Sequence, residues 1–145
     1  MQISENGLNL IKKSEGTKLI VYPDPVGKLT VGTGHLILPG DNLQLGDTIT
    51  SERADELLRN DLKSAEAVVN NAVKTQITQA MFDALVSFTF NCGGGNLLSS
   101  TLLKKVNANL FQDASLEFLK WNHANGQVLP GLTARRESES RLFLS

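Results

Sequence analysis

Cysteine is almost missing from this chain. Cys92 is the only one in 145 residues, so no disulfide can close within it, which fits folding in a reducing compartment. One cysteine and two histidines, His35 and His123, cannot complete a three- or four-ligand zinc site without help from carboxylates. A zinc amidase or zinc peptidase is therefore disfavoured, and no metal or cofactor is expected. Surplus positive charge is missing too: 14 Lys+Arg against 15 Asp+Glu leave a formal net charge of -1. The basic field on which nucleic-acid binders rely is not there, so no nucleic-acid partner is expected. Long apolar runs are absent as well, since no uncharged segment approaches the ~20 residues that span a bilayer. The opening MQISENGLNLIKKSEG lacks the basic stretch and apolar run of a signal peptide. The expectation is a protein made in the cytoplasm, with some other protein needed to release it if its substrate lies outside.

What is present is ordinary for a soluble globular domain: 41% hydrophobic and 20% charged residues. The length is that of one compact unit, 1–145, large enough to bury a core. Ser4 is placed to cap a first helix whose Leu8 and Ile11 share one face. Gly16 is placed to end it, which puts Glu15 at the helix C-terminus. Lys18–Tyr22 and Leu29–Gly34 read as two strands of a hairpin around the turn-forming Pro23-Asp24-Pro25, followed by a loop from Leu36 to Asp47. From Thr50 the spacing predicts one long helix with Leu57, Leu58, Leu62, Ala65, Val68 and Val69 as its buried stripe, joining a mixed lobe to a helical one. Thr78 caps a further helix, and Gly93-Gly94-Gly95 stop it. Ser100–Asn109, Asp113–Trp121 and Thr133–Leu144 fit more helices. The fold class is α+β and mostly helical, with a small β-hairpin lobe packed against a larger all-helical lobe.

The window Ser14–His35, SEGTKLIVYPDPVGKLTVGTGH, carries the chemistry. One carboxylate stands at a helix end and another in a hairpin turn, nine residues on. A chain that leaves a helix and doubles back along a hairpin can aim both at one cleft. Glycoside hydrolysis needs such a pair, one acid for the leaving oxygen and one carboxylate for the water or the anomeric carbon. The negative end of the helix dipole favours a carboxyl that keeps its proton, a fitting place for the general acid Glu15. Asp24, stiffened by the prolines on either side, suits a group that stays ionised. Thr30 offers a hydroxyl to the same water.

Glu15, Asp24, Thr30 and Gly32-Thr33-Gly34-His35 keep every spacing of the active-site signature of the phage lysozymes, the glycoside hydrolase family of phage endolysins, and the chain resembles its single-domain lambdoid-phage type. The likeness extends through Ser87–Gly93, Ser100–Leu103 and Gly131–Glu137, and so over essentially the whole chain. It implies a lysozyme-like fold and an endolysin (muramidase) hydrolysing the β-1,4 bond between N-acetylmuramic acid and N-acetylglucosamine with inversion. Glu15, Asp24 and Thr30 would be catalytic. It implies a monomer acting on peptidoglycan glycan strands in the periplasm, released with the help of a holin-like membrane protein, and causing host lysis. A lytic transglycosylase and a silent wall-binding domain are the rival readings.

Two further residues fall within the likeness. His35 reads either as a substrate neighbour or as a hydrogen-bonded structural group. Arg135 matches a family arginine able to pair with the catalytic Glu, or it is a surface charge paired with Glu139 at i+4. Cys92 reads as a small buried hydrophobe, Trp121 as a core residue, and His123 as a surface residue at a helix end.

Overall fold

A computed structural model describes all 145 residues. They form two compact units, one of residues 11–63 and one of residues 1–10 with 64–145. Helix α1 (Glu5–Glu15) contributes to both. Ser4 caps it, its Oγ accepting from the Gly7 N–H at 3.4 Å. Leu8 and Ile11 are fully buried, as their spacing predicts; sequestering such a side chain stabilises by about 1.5–3 kcal/mol. The helix ends where Gly16 adopts φ +76, with its N–H on the Lys12 carbonyl at 2.8 Å. Only glycine takes that conformation cheaply.

In the smaller unit, β1 (Lys18–Pro23), β2 (Leu29–Gly32) and β3 (His35–Leu36) form one antiparallel sheet in that order. Tyr22 pairs with Thr30 and Val31 with His35. Val21 and Val31 point to the buried face and pack with Leu57, rimmed by Leu29, Ile37, Leu43 and Ile49. The sequence pattern ran one strand through Gly34; instead Gly32-Thr33-Gly34 turns the chain, and β3 occupies the start of the expected loop.

Thr50 caps α2 (Ser51–Asp61), accepting the Arg53 N–H at 3.1 Å. The single long helix expected here is interrupted at Leu62, after which α3 (Lys63–Ala72) begins. The interruption is slight: Leu62 keeps its N–H on the Leu58 carbonyl at 2.9 Å and remains fully buried.

The larger unit is built on α4 (Gln79–Cys92), whose residues 82–89 are all buried. Thr78 caps it through the Met81 N–H at 3.1 Å, as expected. Around it stand α5 (Gly94–Ser99), α6 (Thr101–Asn107), α7 (Phe111–Glu117) and α8 (Pro130–Phe143). Phe88 meets Phe118 and Trp121 edge-on, with centroids 5.8 and 5.4 Å apart, an arrangement favoured by the ring quadrupoles. Trp121 is half-buried. Two expectations are corrected. Gly93 alone ends α4, and Gly94 and Gly95 begin a new helix anchored by the fully buried Leu97, tertiary burial overriding poor propensity. This unit is also not all-helical: β4 (His123–Ala124) and β5 (Gln127–Val128) form a hairpin, so His123 sits on a strand. The turn is Asn125-Gly126, both at positive φ, the pair that two-residue hairpins favour.

Candidate active site

Glu15, Asp24, Thr30 and His35 all belong to the smaller unit. Glu15 is exposed as the last residue of α1, at the helix end that the capping pattern predicts. One turn earlier, Lys12 Nζ meets Asp55 Oδ1 of α2 at 2.6 Å, a partly exposed ion pair.

Asp24 organises the β1–β2 turn. Its Oδ1 accepts the N–H groups of Val26 at 3.0 Å and Lys28 at 2.8 Å. Its own N–H donates to the Lys28 carbonyl at 2.8 Å, and its carbonyl accepts the Gly27 N–H at 2.9 Å. The side chain thus mimics a backbone turn, and the carboxylate is held by one oxygen while Oδ2 stands outside these bonds. Thr30 is 4% exposed, and its hydroxyl donates to the same Lys28 carbonyl at 3.2 Å. Because that bond uses the hydroxyl's only proton, the remaining capacity of Oγ1 is to accept. The Lys28 peptide therefore orders Asp24 and Thr30 together. Nothing in the sequence marks Lys28, because the work is done by its backbone.

His35, buried at 4% exposure, lies between two carboxylates: Nδ1 is 2.8 Å from Asp61 Oδ2 and Nε2 is 2.8 Å from Asp41 Oδ2. Burial pulls its pKa down, but the hydrogen bonds and charges of Asp41 and Asp61 together outweigh burial and raise it above 6.5. Asp41 is lowered by the Leu38 N–H that it accepts and by His35. Both ring nitrogens are committed, the arrangement of a group that ties strand, turn and helix together. A recess of about 470 Å³ beside it is lined by Arg53, Glu56, Arg59 and Lys63 among others, but by none of Glu15, Asp24 or Thr30.

Arg135 lies in the larger unit and is buried, not on the surface as one reading held. The i+4 partner is present: Nε is 3.4 Å from Glu139 Oε2, and Nη2 is 3.4 Å from the Ser87 carbonyl and Oγ. Arg136 meets Glu139 more closely, with Nε 2.7 Å from Oε1 and Nη2 donating to Oε2 at 3.1 Å. Cys92 is half-buried against Arg136 Nη1, and burial raises its thiol pKa. That is the setting of a packing group and not of a nucleophile.

Known structures share this fold. A mutant of P22 lysozyme superimposes with a TM-score of 0.93 at 37% identity, over 100% of this chain and 99% of its own, so the architecture is lysozyme-like. The phage lysozyme family model matches residues 12–139, and the chain belongs to that family. It is accordingly a lysozyme, a glycosidase that breaks down peptidoglycan. The endolysin of Acyrthosiphon pisum secondary endosymbiont phage 1 is 44% identical over 149 residues, 100% of this chain and 99% of its own. The endolysin of Bacillus phage B103 is 46% identical over 147 residues, 100% of this chain but 55% of its own, so the chain spans about half of that relative.

Proposed function

We infer that this lysozyme is an endolysin that cleaves the β-1,4 bond between N-acetylmuramic acid and N-acetylglucosamine by direct attack of water, with inversion. Glu15 protonates the leaving oxygen as general acid. The observation that carries the reading is the shared Lys28 peptide. Asp24 has one carboxylate oxygen already held and one outside those bonds, while the Thr30 hydroxyl has spent its proton on the Lys28 carbonyl. A water seated between them donates both protons, one to Asp24 Oδ2 and one to Thr30 Oγ1, which leaves its lone pair for the anomeric carbon. As the carbon–oxygen bond forms, Asp24 takes the proton that the water gives up.

The whole chain, 1–145, acts as one catalytic domain and as a monomer. No helix is long and apolar enough to cross a membrane. In this reading a holin-like membrane protein opens the route from the host cytoplasm to the wall, where digestion lyses the cell. The test is digestion of purified peptidoglycan with mass spectrometry of the products. Reducing ends one water heavier than the 1,6-anhydro form support hydrolysis; anhydro ends would instead make it a transglycosylase. Glu15→Gln should abolish nearly all turnover in a folded protein, and strong activity in that variant removes Glu15 from its role.

A further inference from the structure

The chain leaves Glu15 through Gly16 at φ +76, a residue with more backbone freedom than any other. General acid catalysis needs the carboxyl held to within a fraction of an ångström of the leaving oxygen. Contacts just beyond Gly16 therefore bear on the direction in which the chain leaves α1, and with it on where Glu15 lies. One residue further, the Thr17 hydroxyl meets the Thr33 hydroxyl at 2.8 Å. Lys18 of β1 pairs with Gly32 of β2, so this contact continues the ladder one step outward, a cross-strand threonine pair. Thr33 is 2% exposed, within the turn that joins β2 to β3, while Thr17 approaches from the exposed edge. On the other side of Glu15 stands the Lys12–Asp55 ion pair, whose side chains are 26% and 40% exposed. Pairs so placed contribute little and are screened by salt. The hydroxyl contact is short, one-sidedly buried and insensitive to salt.

We propose that Thr17 and Thr33 are positioning residues for Glu15, their hydroxyl pair clamping the chain two residues past the acid and fixing it against the sheet that carries Thr30. The proposal rests on the assignment of Glu15 as general acid. The hydroxyls touch no substrate and act only by restricting where the end of α1 lies.

Four variants test it: Thr17→Val, Thr33→Val, the double substitution, and Thr17→Ser. Each is assayed for kcat and KM on a soluble glycan oligomer and for thermal midpoint, with Glu15→Gln alongside. Each single valine variant should lower kcat about tenfold, with KM within about twofold, at temperatures where the protein is fully folded. The double variant should be no slower than the slower single, because either change alone already removes the contact. Thr17→Ser should restore the rate. A pair that serves only stability would lower the midpoint and leave kcat alone, and that result overturns the proposal. So do multiplicative losses in the double variant, or failure of serine to rescue. Thr17 is exposed, so its valine variant keeps the test valid should Thr33→Val fold poorly. Inactive Glu15→Gln beside fully active valine variants rejects the clamp and leaves the acid in place; active Glu15→Gln rejects both.

Discussion

His35 Nδ1 and Asp61 Oδ2 are joined at 2.8 Å although the residues stand 26 apart in sequence, and with Asp41 on the other nitrogen they bind the sheet to the end of α2. The contact makes stability depend on pH. The His35 pKa is raised in the folded protein, so its contribution is complete below the unfolded value of 6.5 and is lost as pH rises through the folded value. Asp41 is lowered, so its contribution is present above 3.8 and is lost as pH falls through the folded value. Thermal midpoints of the wild type and His35→Asn should therefore differ most between pH 3.8 and 6.5, and the gap should narrow on either side. A gap that stays constant with pH would show that the interaction is not ionic.

In the proposed mechanism Asp24 has two separable duties, turn formation through Oδ1 and chemistry through Oδ2. Asp24→Asn keeps an oxygen for the Val26 and Lys28 N–H groups and removes the charge. The variant should fold with a midpoint close to the wild type yet lose about a hundredfold or more in kcat. Asp24→Ala should lose activity and stability together, since the two N–H groups then lose their acceptor. At Thr30, serine should retain most turnover, while valine, filling the same buried space, should not. Kinetics on a glycan oligomer paired with calorimetry separates these outcomes.

The parts of the molecule legible in the sequence are those fixed by local rules. Ser4, Thr50 and Thr78 stand directly before periodic apolar residues, and Gly16 directly after them, so helix ends and the place of Glu15 followed from spacing. The β2–β3 turn was hidden because Gly32-Thr33-Gly34 lies within a β-rich run with no break in hydropathy. The β4–β5 hairpin carried an overt signal in Asn125-Gly126, overshadowed by the helical pattern on either side. Gly94–Ser99 is helical because burial of Leu97 outweighs two glycines, a preference no local window contains. The pairing of His35 with Asp61, 26 residues away, leaves no periodic trace, and Asp41, six residues on, lies in a loop whose course no local rule fixes. Nor does any local rule mark the Lys28 peptide, whose contribution is independent of its side chain.

Gly7 is required by close approach. A Cβ there would lie 2.6 Å from Ile3 Cγ1 and 2.8 Å from both Asp83 Cβ and Cγ. Asp83 cannot yield easily: it is buried, with Oδ1 accepting the Ser4 N–H at 3.0 Å and Gln79 Nε2 at 2.8 Å, and Oδ2 accepting the Ser4 hydroxyl. Gly7→Ala would normally strengthen a helix, by about 1 kcal/mol. Here it should instead destabilise by about 1–3 kcal/mol through overpacking. Urea denaturation reads the sign directly, and a more stable Gly7→Ala protein would refute the argument.

The buried group around Glu139 should respond very differently to two substitutions at one position. Glu139 is completely buried, with Arg136 Nε at 2.7 Å from Oε1 and Ser87 Oγ donating to Oε2 at 2.5 Å. Burial pushes its carboxyl pKa above the ordinary value, against the pull of Arg136, Ser87 and Arg135. A neutral side chain of the same shape shows how much of the cluster depends on that charge. Glu139→Gln keeps one oxygen for the Ser87 hydroxyl and Arg136 Nη2 but turns its NH2 toward Arg136 Nε, and should cost about 1–3 kcal/mol. Glu139→Ala leaves two buried arginines facing an empty space and should cost about 3–5 kcal/mol. Chemical denaturation of both variants measures the difference. Equal losses would mean that the charge of Glu139, and not its shape and hydrogen bonding, holds the cluster together.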